Sequence, residues 1–273
     1  MSDPLGPRNP EVQRLRRLLS SRRERREERS FAFEGPTLLR AAIESGIEIE
    51  RVFFAADADG AEIDAARAAA RGAGIRIGLL APGVLEKVAD AVAPQGCVTI
   101  APDCRRTLGD LSLTGGLLVL DEVRDPGNLG AVVRVAEAAG FEAIVLTGAA
   151  VDPYGPKALR GSTGSTFRLP VVEVGPILPL LETLTERGVV TMTTSSHQGD
   201  DFAVIEWPER VAIVLGNEAA GLDQAVVTAC ARRITIPIAE NVESLNLAVS
   251  AGILAFAVSR RLTARGASAQ VLR

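Results

Sequence analysis

The chain is poor in the residues that mark redox, metal-binding and membrane proteins. Of its 273 residues one is tryptophan, one tyrosine and eight phenylalanine. So few aromatics leave Val, Leu, Ile and Ala to build the core, a composition that suits parallel α/β packing. The three cysteines, Cys97, Cys104 and Cys230, show no C-x-x-C spacing. That argues against a disulfide framework or zinc site and fits a reducing cytoplasm. The single histidine, His197, sits in the polar run S-S-H-Q-G-D-D and reads as an exposed loop residue rather than a base. No apolar N-terminal signal is present. The longest apolar stretch, Leu247 to Val258, falls well short of the ~20 residues that span a bilayer and reads as a buried helix. Neither G-x-x-x-x-G-K-[ST] nor G-x-G-x-x-G occurs, so nucleotide hydrolysis and NAD chemistry lose support.

What is there describes an ordinary folded protein, long for one compact domain and comfortable for two. Hydrophobic residues make up 47% and charged residues 23%, which excludes a disordered chain. The net charge of −4 argues mildly against nucleic acid. Phosphate contacts depend on local patches, however, and one exists: Arg14, Arg16, Arg17, Arg22, Arg23, Arg25, Arg26 and Arg29. This segment, Pro10 to Arg29, is helical in pattern, with Val12, Leu15 and Leu19 on one stripe. Its two readings, a solvated surface helix and a phosphate-contacting arm, weigh about equally.

The chain from Ser30 to Pro102 alternates short strands and helices. Strands are expected at Phe31–Phe33, Arg51–Ala55, Arg76–Leu80 and Val98–Ala101, and helices at Pro36–Ser45, Ala61–Arg71 and Val84–Ala91. This is a small α/β domain. A polar, glycine-bearing linker runs from Asp103 to Gly115, with the boundary near Leu108. The second half repeats the alternation. Its strands are expected at Leu117–Asp121, Ala143–Thr147, Arg168–Val172, Val189–Thr193, Val211–Leu215 and Ile234–Ile238. Its helices are expected at Leu129–Ala139, Leu178–Arg187, Asp223–Ala229 and Leu245–Leu262. Such alternation predicts a mostly parallel sheet covered on both faces.

Three blocks stand out in that second half. Leu120 to Gly140 reads L-D-E-V-R-D-P-G-N-L-G-A-V-V-R-V-A-E-A-A-G, the grammar of a parallel strand, a tight turn and a crossover helix. Asn128 and Arg134 are its polar offerings to a cleft at the carboxyl end of the strand. Val211 to Leu222 reads V-A-I-V-L-G-N-E-A-A-G-L. Ile234 to Val249 reads I-T-I-P-I-A-E-N-V-E-S-L-N-L-A-V. Together, in this order, they resemble the SpoU/TrmH family of S-adenosylmethionine-dependent RNA 2′-O-ribose methyltransferases, over roughly Leu117 to Arg261.

The resemblance implies a C-terminal domain with a deep trefoil knot that cups the methyl donor. It also implies an N-terminal ribosomal-protein-like domain that binds the RNA substrate, and the phrase F-x-F-E-G at Phe31 to Gly35 fits that comparison. The expected layout is a basic arm at 1–29, a substrate domain at 30–107 and a methyltransferase domain at 108–273. Relatives dimerise through the knotted domain, so a homodimer is expected, and no metal is needed. Ribosomal RNA of the large subunit, 23S rRNA, is the expected target. Transfer RNA, a non-catalytic RNA-binding role on the same fold, and an unrelated nucleotide-cofactor enzyme are the alternatives.

By the same resemblance, Gly216, Ile236 and Leu245 contact the donor, with Thr194 and Asn246 beside them. Taken singly, Gly216 reads as a turn glycine and Ile236 and Leu245 as ordinary core. Asn128 and Arg134 carry the expected catalysis. Asn128 is also a natural helix cap. Arg134 stands among Val132, Val133 and Val135. A guanidinium is a poor general base, so its expected work is to hold the target phosphate and stabilise charge developing on the oxygen. Glu218 is expected to orient Asn128 or Arg134, and Ser244 and Asn246 complete the polar set. Arg160, in the run L-R-G-S-T-G-S-T, is a second RNA-contact candidate with Arg22, Arg23 and Arg26. That run reads equally as a phosphate cradle or a plain surface loop. Asp121, Glu122 and Asp125 imitate a magnesium site, but strand-end carboxylates are common.

Overall fold

A computed structural model describes residues 3–89 and 94–271. By contacts the chain divides into two units. The first comprises the chain up to Cys104 together with Asp152–Arg168; the second comprises Arg105–Val151 and the chain from Leu169 onward.

The first unit contains α1 (Pro10–Ser20), α2 (Arg22–Glu27), β1 (Ser30–Glu34), α3 (Pro36–Glu44), β2 (Arg51–Ala55), α4 (Ala61–Gly72), β3 (Ile77–Leu80), α5 (Leu85–Val88) and β4 (Cys97–Pro102). Its sheet runs β1-β4-β2-β3, with β4 antiparallel to both neighbours and β2 parallel to β3. Asn9 opens α1 by accepting the Glu11 N–H at 2.9 Å, ahead of a proline in the first turn. Val12, Leu15, Leu18 and Leu19 are buried among Ala32, Phe53 and Val98. Each such side chain contributes roughly 1.5–3 kcal/mol over its exposed state.

The single helix expected over Pro10 to Arg29 is in fact two. Ser21 is extended (φ −126°, ψ 115°) and its hydroxyl accepts the Glu24 N–H, which ends α1 and starts α2. The break turns Arg25 inward, where it is 5% exposed. Its Nε donates to Asp152 Oδ2 at 2.8 Å and its Nη1 to the Leu18 carbonyl at 2.6 Å. Arg25 therefore leaves the basic patch and holds the fold. The expected helix Val84–Ala91 is one turn, and its positions 90 and 91 lie outside the described residues.

The aliphatic-core expectation needs a correction here. Phe31, Phe33, Tyr154 and Phe167 gather in one cluster, with centroids 4.8 Å apart for Phe31–Tyr154 and 5.1 Å for Phe33–Phe167. Tyr154 and Phe167 flank α7 (Pro156–Ser162), which occupies part of the run expected to be a loop. Gly155-Pro156 starts the helix, and Thr163 and Gly164, both left-handed, end it. Ser162, Ser165 and Thr166 are buried. The Thr166 hydroxyl donates to Ser162 Oγ, and that of Ser162 to the Leu159 carbonyl, both at 2.9 Å. Hydroxyls spent in this way do not cradle a phosphate.

The second unit contains β5 (Gly116–Asp121), α6 (Pro126–Ala138), β6 (Ala143–Thr147), β7 (Val171–Glu173), α8 (Ile177–Glu186), β8 (Val190–Ser195), β9 (Asp200–Asp201), β10 (Val211–Leu215), α9 (Gln224–Ala229), β11 (Arg232–Thr235) and α10 (Leu247–Val271). Its seven strands run β7-β6-β5-β10-β8-β11-β9, every neighbouring pair parallel. One core cluster is wholly aliphatic, joining Leu117, Val119, Ala212 and Val214 of the sheet to Leu181 and Leu184 of α8 and Val226 of α9. The apolar stretch Leu247 to Val258 lies in α10, which packs along α6.

Three strands depart from expectation. Arg168 closes a 3-10 turn, Ser165–Phe167, so β7 begins only at Val171. β11 ends at Thr235, which leaves Ile236 and Pro237 in the loop beyond; a proline has no N–H for the ladder. The unexpected β9 pairs with β11 at the sheet edge and carries two aspartates, a composition that discourages further pairing.

Glu142 pins the linker. Its carboxylate accepts N–H bonds from Leu113, Thr114 and Gly115 and the Ser112 hydroxyl, all between 2.9 and 3.0 Å. Burial alone would raise its pKa, but these donors outweigh burial and hold it below the usual carboxylate value. A carboxylate with a depressed folded pKa contributes stability above its unfolded pKa and loses it as pH falls through the folded one. Glu142→Gln should therefore destabilise the protein by about 1 kcal/mol near neutral pH, since an amide presents N–H to donors. The gap from wild type should close as pH falls through the carboxylate range. Urea unfolding at several pH values checks this; a gap that stays constant with pH would remove the role.

Candidate active site

Because β10, β8 and β11 are adjacent and parallel, the loops that follow Leu215, Ser195 and Thr235 leave the same edge of the sheet. They enclose a cavity of about 730 Å³ within the second unit. Its apolar wall includes Leu215, Leu222, Ile234, Ile236 and Leu245, and its polar rim includes Asn128, Thr194, Glu218, Ser244 and Asn246. That size and mixture are typical of a small-molecule site.

The rim is ordered by hydrogen bonds. Asp125 is the N-cap of α6, its Oδ1 accepting the Asn128 N–H at 2.8 Å. The capping task is thus met by Asp125, and the Asn128 side chain is left for other partners. Asn128 Nδ2 donates to Glu218 Oε1 at 3.0 Å, and Asn246 Nδ2 donates to Asn128 Oδ1 at 3.1 Å. One residue from each of the three blocks enters this chain. Asn246 also opens α10, its Oδ1 accepting the Ala248 N–H at 2.9 Å. Ser244 and Leu245 therefore precede the helix they were expected to begin. Thr194 donates its hydroxyl to the Val214 carbonyl at 3.1 Å, which ties β8 to β10 at the cavity mouth.

Gly216 is confined by its own chain. A Cβ there would lie 2.4 Å from the Gly221 carbonyl oxygen and 2.8 Å from Leu222 Cγ. The absent side chain makes room for the returning loop, so the space is not an opening for a ligand.

The cavity brings together Asn128, Thr194, Gly216, Glu218, Ile236, Ser244, Leu245 and Asn246. Arg134 is not in its lining. It is exposed on α6, where among the described residues no hydrogen-bond or ion-pair partner meets it. Six residues separate it from Asn128, about 240° around the helix axis, so the two side chains leave on different faces. Arg22, Arg23, Arg26 and Arg160 belong to the first unit. Arg23 bonds Glu27 at 2.6 Å. Nearby, Arg14 is paired with Glu28 and Glu50, and Arg17 with Glu24 and Glu28, so much of the basic charge is met by acidic neighbours.

Sequence reasoning missed several polar residues in the lining, among them Gln198, Asn217 and Arg233. Arg233 Nη1 donates to Gln198 Oε1 at 2.6 Å. Asn217 lies in the second block, just past a strand end and flanked by Gly216 and Gly221, and that turn setting is its signal. The strand-end acids have separate tasks. Asp121 accepts from the Thr147 hydroxyl at 2.5 Å, Asp125 caps α6, and Glu122 faces Arg124 at 3.6 Å. The thiols of Cys97 and Cys230 are pushed up by burial, to about 12 and about 11, which keeps them inert.

Known proteins share this architecture. Residues 116–256 match the SpoU rRNA Methylase family, and residues 9–99 match the MRM3-like substrate binding domain. The 23S rRNA (guanosine(2553)-2′-O)-methyltransferase RlmP of Bacillus subtilis is 32% identical, over 87% of this chain and 92% of its own length. The 23S rRNA (uridine(2479)-2′-O)-methyltransferase of Streptomyces viridochromogenes is 30% identical, over 96% of this chain and 93% of its own. The crystal structure of the SpoU methyltransferase AviRb from the same organism, in complex with AdoMet, superimposes with a TM-score of 0.84 at 27% identity, covering 94% of this chain and 99% of that one.

Proposed function

The chain belongs to the SpoU rRNA methylase family, and from that premise we propose that it is an S-adenosylmethionine-dependent 2′-O-ribose methyltransferase of 23S rRNA. The observation that carries the reading is the chain Asn246–Asn128–Glu218, which joins the three blocks at the rim of a single cavity.

Ile236, Leu245, Gly216 and Thr194 would hold the donor, with apolar surface and loop backbone at the strand ends. Bound there, S-adenosylmethionine supplies a methyl group activated on a sulfonium. The protein's own contribution is alignment, which alone supplies several kcal/mol of barrier reduction in a displacement of this kind. Asn128 is fixed at both ends of its amide and presents a rigid polar edge. Ser244 and Asn246 extend that edge. Arg134, exposed outside this cavity, would grip the target phosphate, while the proton leaves through phosphate or water.

The first unit is the RNA-binding part, and the methyltransferase domain runs from near Leu108 onward apart from Asp152–Arg168, which cluster with the first unit. The insertion of β10 between β5 and β8, both earlier in the chain, supports the threading of a trefoil knot. Val249 and Phe256 are large, exposed apolar side chains on one face of α10 (51% and 47% exposed), with Gly252 between them. Gly252 lies against Val135 of α6, next to Arg134. This face supports a homodimer through α10 that leaves Arg134 at its margin. A cytoplasmic setting follows from the ribosomal substrate.

Two measurements test the reading. Calorimetry should detect S-adenosylmethionine binding to the purified protein. Mapping 2′-O-methyl groups on 23S rRNA from cells with and without the gene should reveal one position that depends on it. A protein that takes up no donor removes the reading. A mark lost from transfer RNA instead replaces the substrate.

A further inference from the structure

We infer that Asn217 is a positioning residue: it locks the turn after β5 to the loop after β10 and so sets Asn128 in place. This rests on the functional reading above and goes beyond it by assigning work to a side chain outside the expected catalytic set.

The loop at 217–221 is closed by Asn217 itself. Its backbone N–H donates to the Gly221 carbonyl at 3.1 Å and its carbonyl accepts the Gly221 N–H at 2.9 Å. Its Oδ1 accepts the N–H groups of Ala219 and Ala220 at 2.9 and 3.1 Å. Those two donors fix the amide orientation, since the reversed amide would face them with its own N–H. Nδ2 is thereby aimed away from its own loop, and it donates to the Glu122 carbonyl at 2.8 Å.

Glu122 is an unusual residue to be held. Its φ is +53°, in the left-handed region that side-chain-bearing residues rarely enter. Its N–H donates to the Thr147 carbonyl at 3.1 Å, so its backbone is clamped at both ends, one clamp being Asn217. Three residues later Asp125 caps α6 through the Asn128 N–H, and the Asn128 side chain returns to Glu218, the neighbour of Asn217. The path Asn217–Glu122–Asp125–Asn128–Glu218 is a closed ring. Residues 218–221 are exposed, so hydrogen bonds rather than packing give the ring its shape.

Asn217→Ser separates the two tasks. A serine hydroxyl still accepts from the loop N–H groups but is too short to reach Glu122. The amides of Glu122 to Asn128 should exchange faster with solvent in the variant, with no donor present. Asn217 lines the cavity, so S-adenosylmethionine affinity should fall somewhat, but by much less than kcat, because the serine keeps the 217–221 loop closed. The kcat for methylation of 23S rRNA should fall by about 10- to 100-fold, the scale of a misplaced reacting group. Adding Glu122→Gly should recover part of that loss, because glycine reaches the left-handed region unaided.

Donor affinity and kcat falling in equal proportion, unchanged exchange and kcat, or a further fall on adding Glu122→Gly would each overturn the assignment. If wild type neither binds the donor nor methylates RNA, the functional reading itself fails and the positioning role falls with it. A working wild type with any of the three adverse results sinks the positioning role alone.

Discussion

Arg134→Ala should lower methyl transfer to RNA by about 100-fold or more while leaving the dissociation constant of S-adenosylmethionine almost unchanged. The separation follows from where the side chain stands. Arg134 is exposed on α6 and absent from the cavity lining, so nothing in the donor pocket is lost with it. α6 keeps its N-cap and its buried residues Leu129, Val132, Val133 and Ala136, so the helix should persist. What disappears is a free guanidinium able to grip a phosphate with two parallel hydrogen bonds. Lysine is a poor replacement, since an ammonium is a point charge without that fork. Arg134→Lys should therefore recover only part of the activity. Single-turnover methylation and calorimetry on the same preparations decide the matter. If donor affinity collapses in proportion to rate, Arg134 belongs to the donor site and the role given to it is wrong.

The sequence spoke clearly wherever a periodic signal and a packing requirement coincide. Val211–Leu215 and Ala143–Thr147 are continuous apolar runs, and a strand buried on both faces needs that pattern. The pattern is silent where a single residue's backbone decides. Ser21 splits a run with uninterrupted helical spacing, because its hydroxyl competes for the Glu24 N–H. Arg25 reads like its neighbours, and only the position of Asp152, 127 residues away in the chain, turns it inward. Residues 159–166 carry so much Gly, Ser and Thr that they read as a loop, yet the flanking Tyr154 and Phe167 pack on Phe31 and Phe33 and give that segment a core.

The candidate site divides in the same way. Eight of the named residues meet around one cavity because each lies at the end of a parallel strand or in the segment that leads from it into the next helix, and those junctions are visible in sequence. Arg134 was assigned to the same cleft as Asn128 because both lie on one short segment. Helical geometry separates them, since six residues carry a side chain about two-thirds of a turn past alignment. Asn217 went unnoticed because its work is done by a side-chain amide on a backbone carbonyl 95 residues away, a pairing that has no periodicity.

Gly216→Ala should weaken S-adenosylmethionine binding by about 10- to 100-fold, and the cause is steric. The added Cβ would stand 2.4 Å from the Gly221 oxygen and 2.5 Å from the Gly221 carbonyl carbon. Those are backbone atoms, so no rotamer change relieves the clash. Gly221 must retreat by about 1 Å to restore ordinary contact, and overpacking of this kind costs about 1–3 kcal/mol, about 5- to 150-fold, which brackets the range stated. The retreat pulls on the Gly221–Asn217 pair of hydrogen bonds and moves residues 217–222, which form one wall of the cavity. The sheet itself is untouched, because Val211–Leu215 keeps its ladders with β5 and β8. A thermal melt should therefore remain cooperative while the calorimetric titration flattens. Gly221→Ala isolates the backbone component, since a Cβ there meets nothing within 4 Å and only its φ of +70° opposes the substitution. Its donor affinity should fall less than that of Gly216→Ala. Should the two variants lose affinity equally, or should Gly216→Ala bind the donor as wild type does, the wall of the cavity does not depend on that close approach.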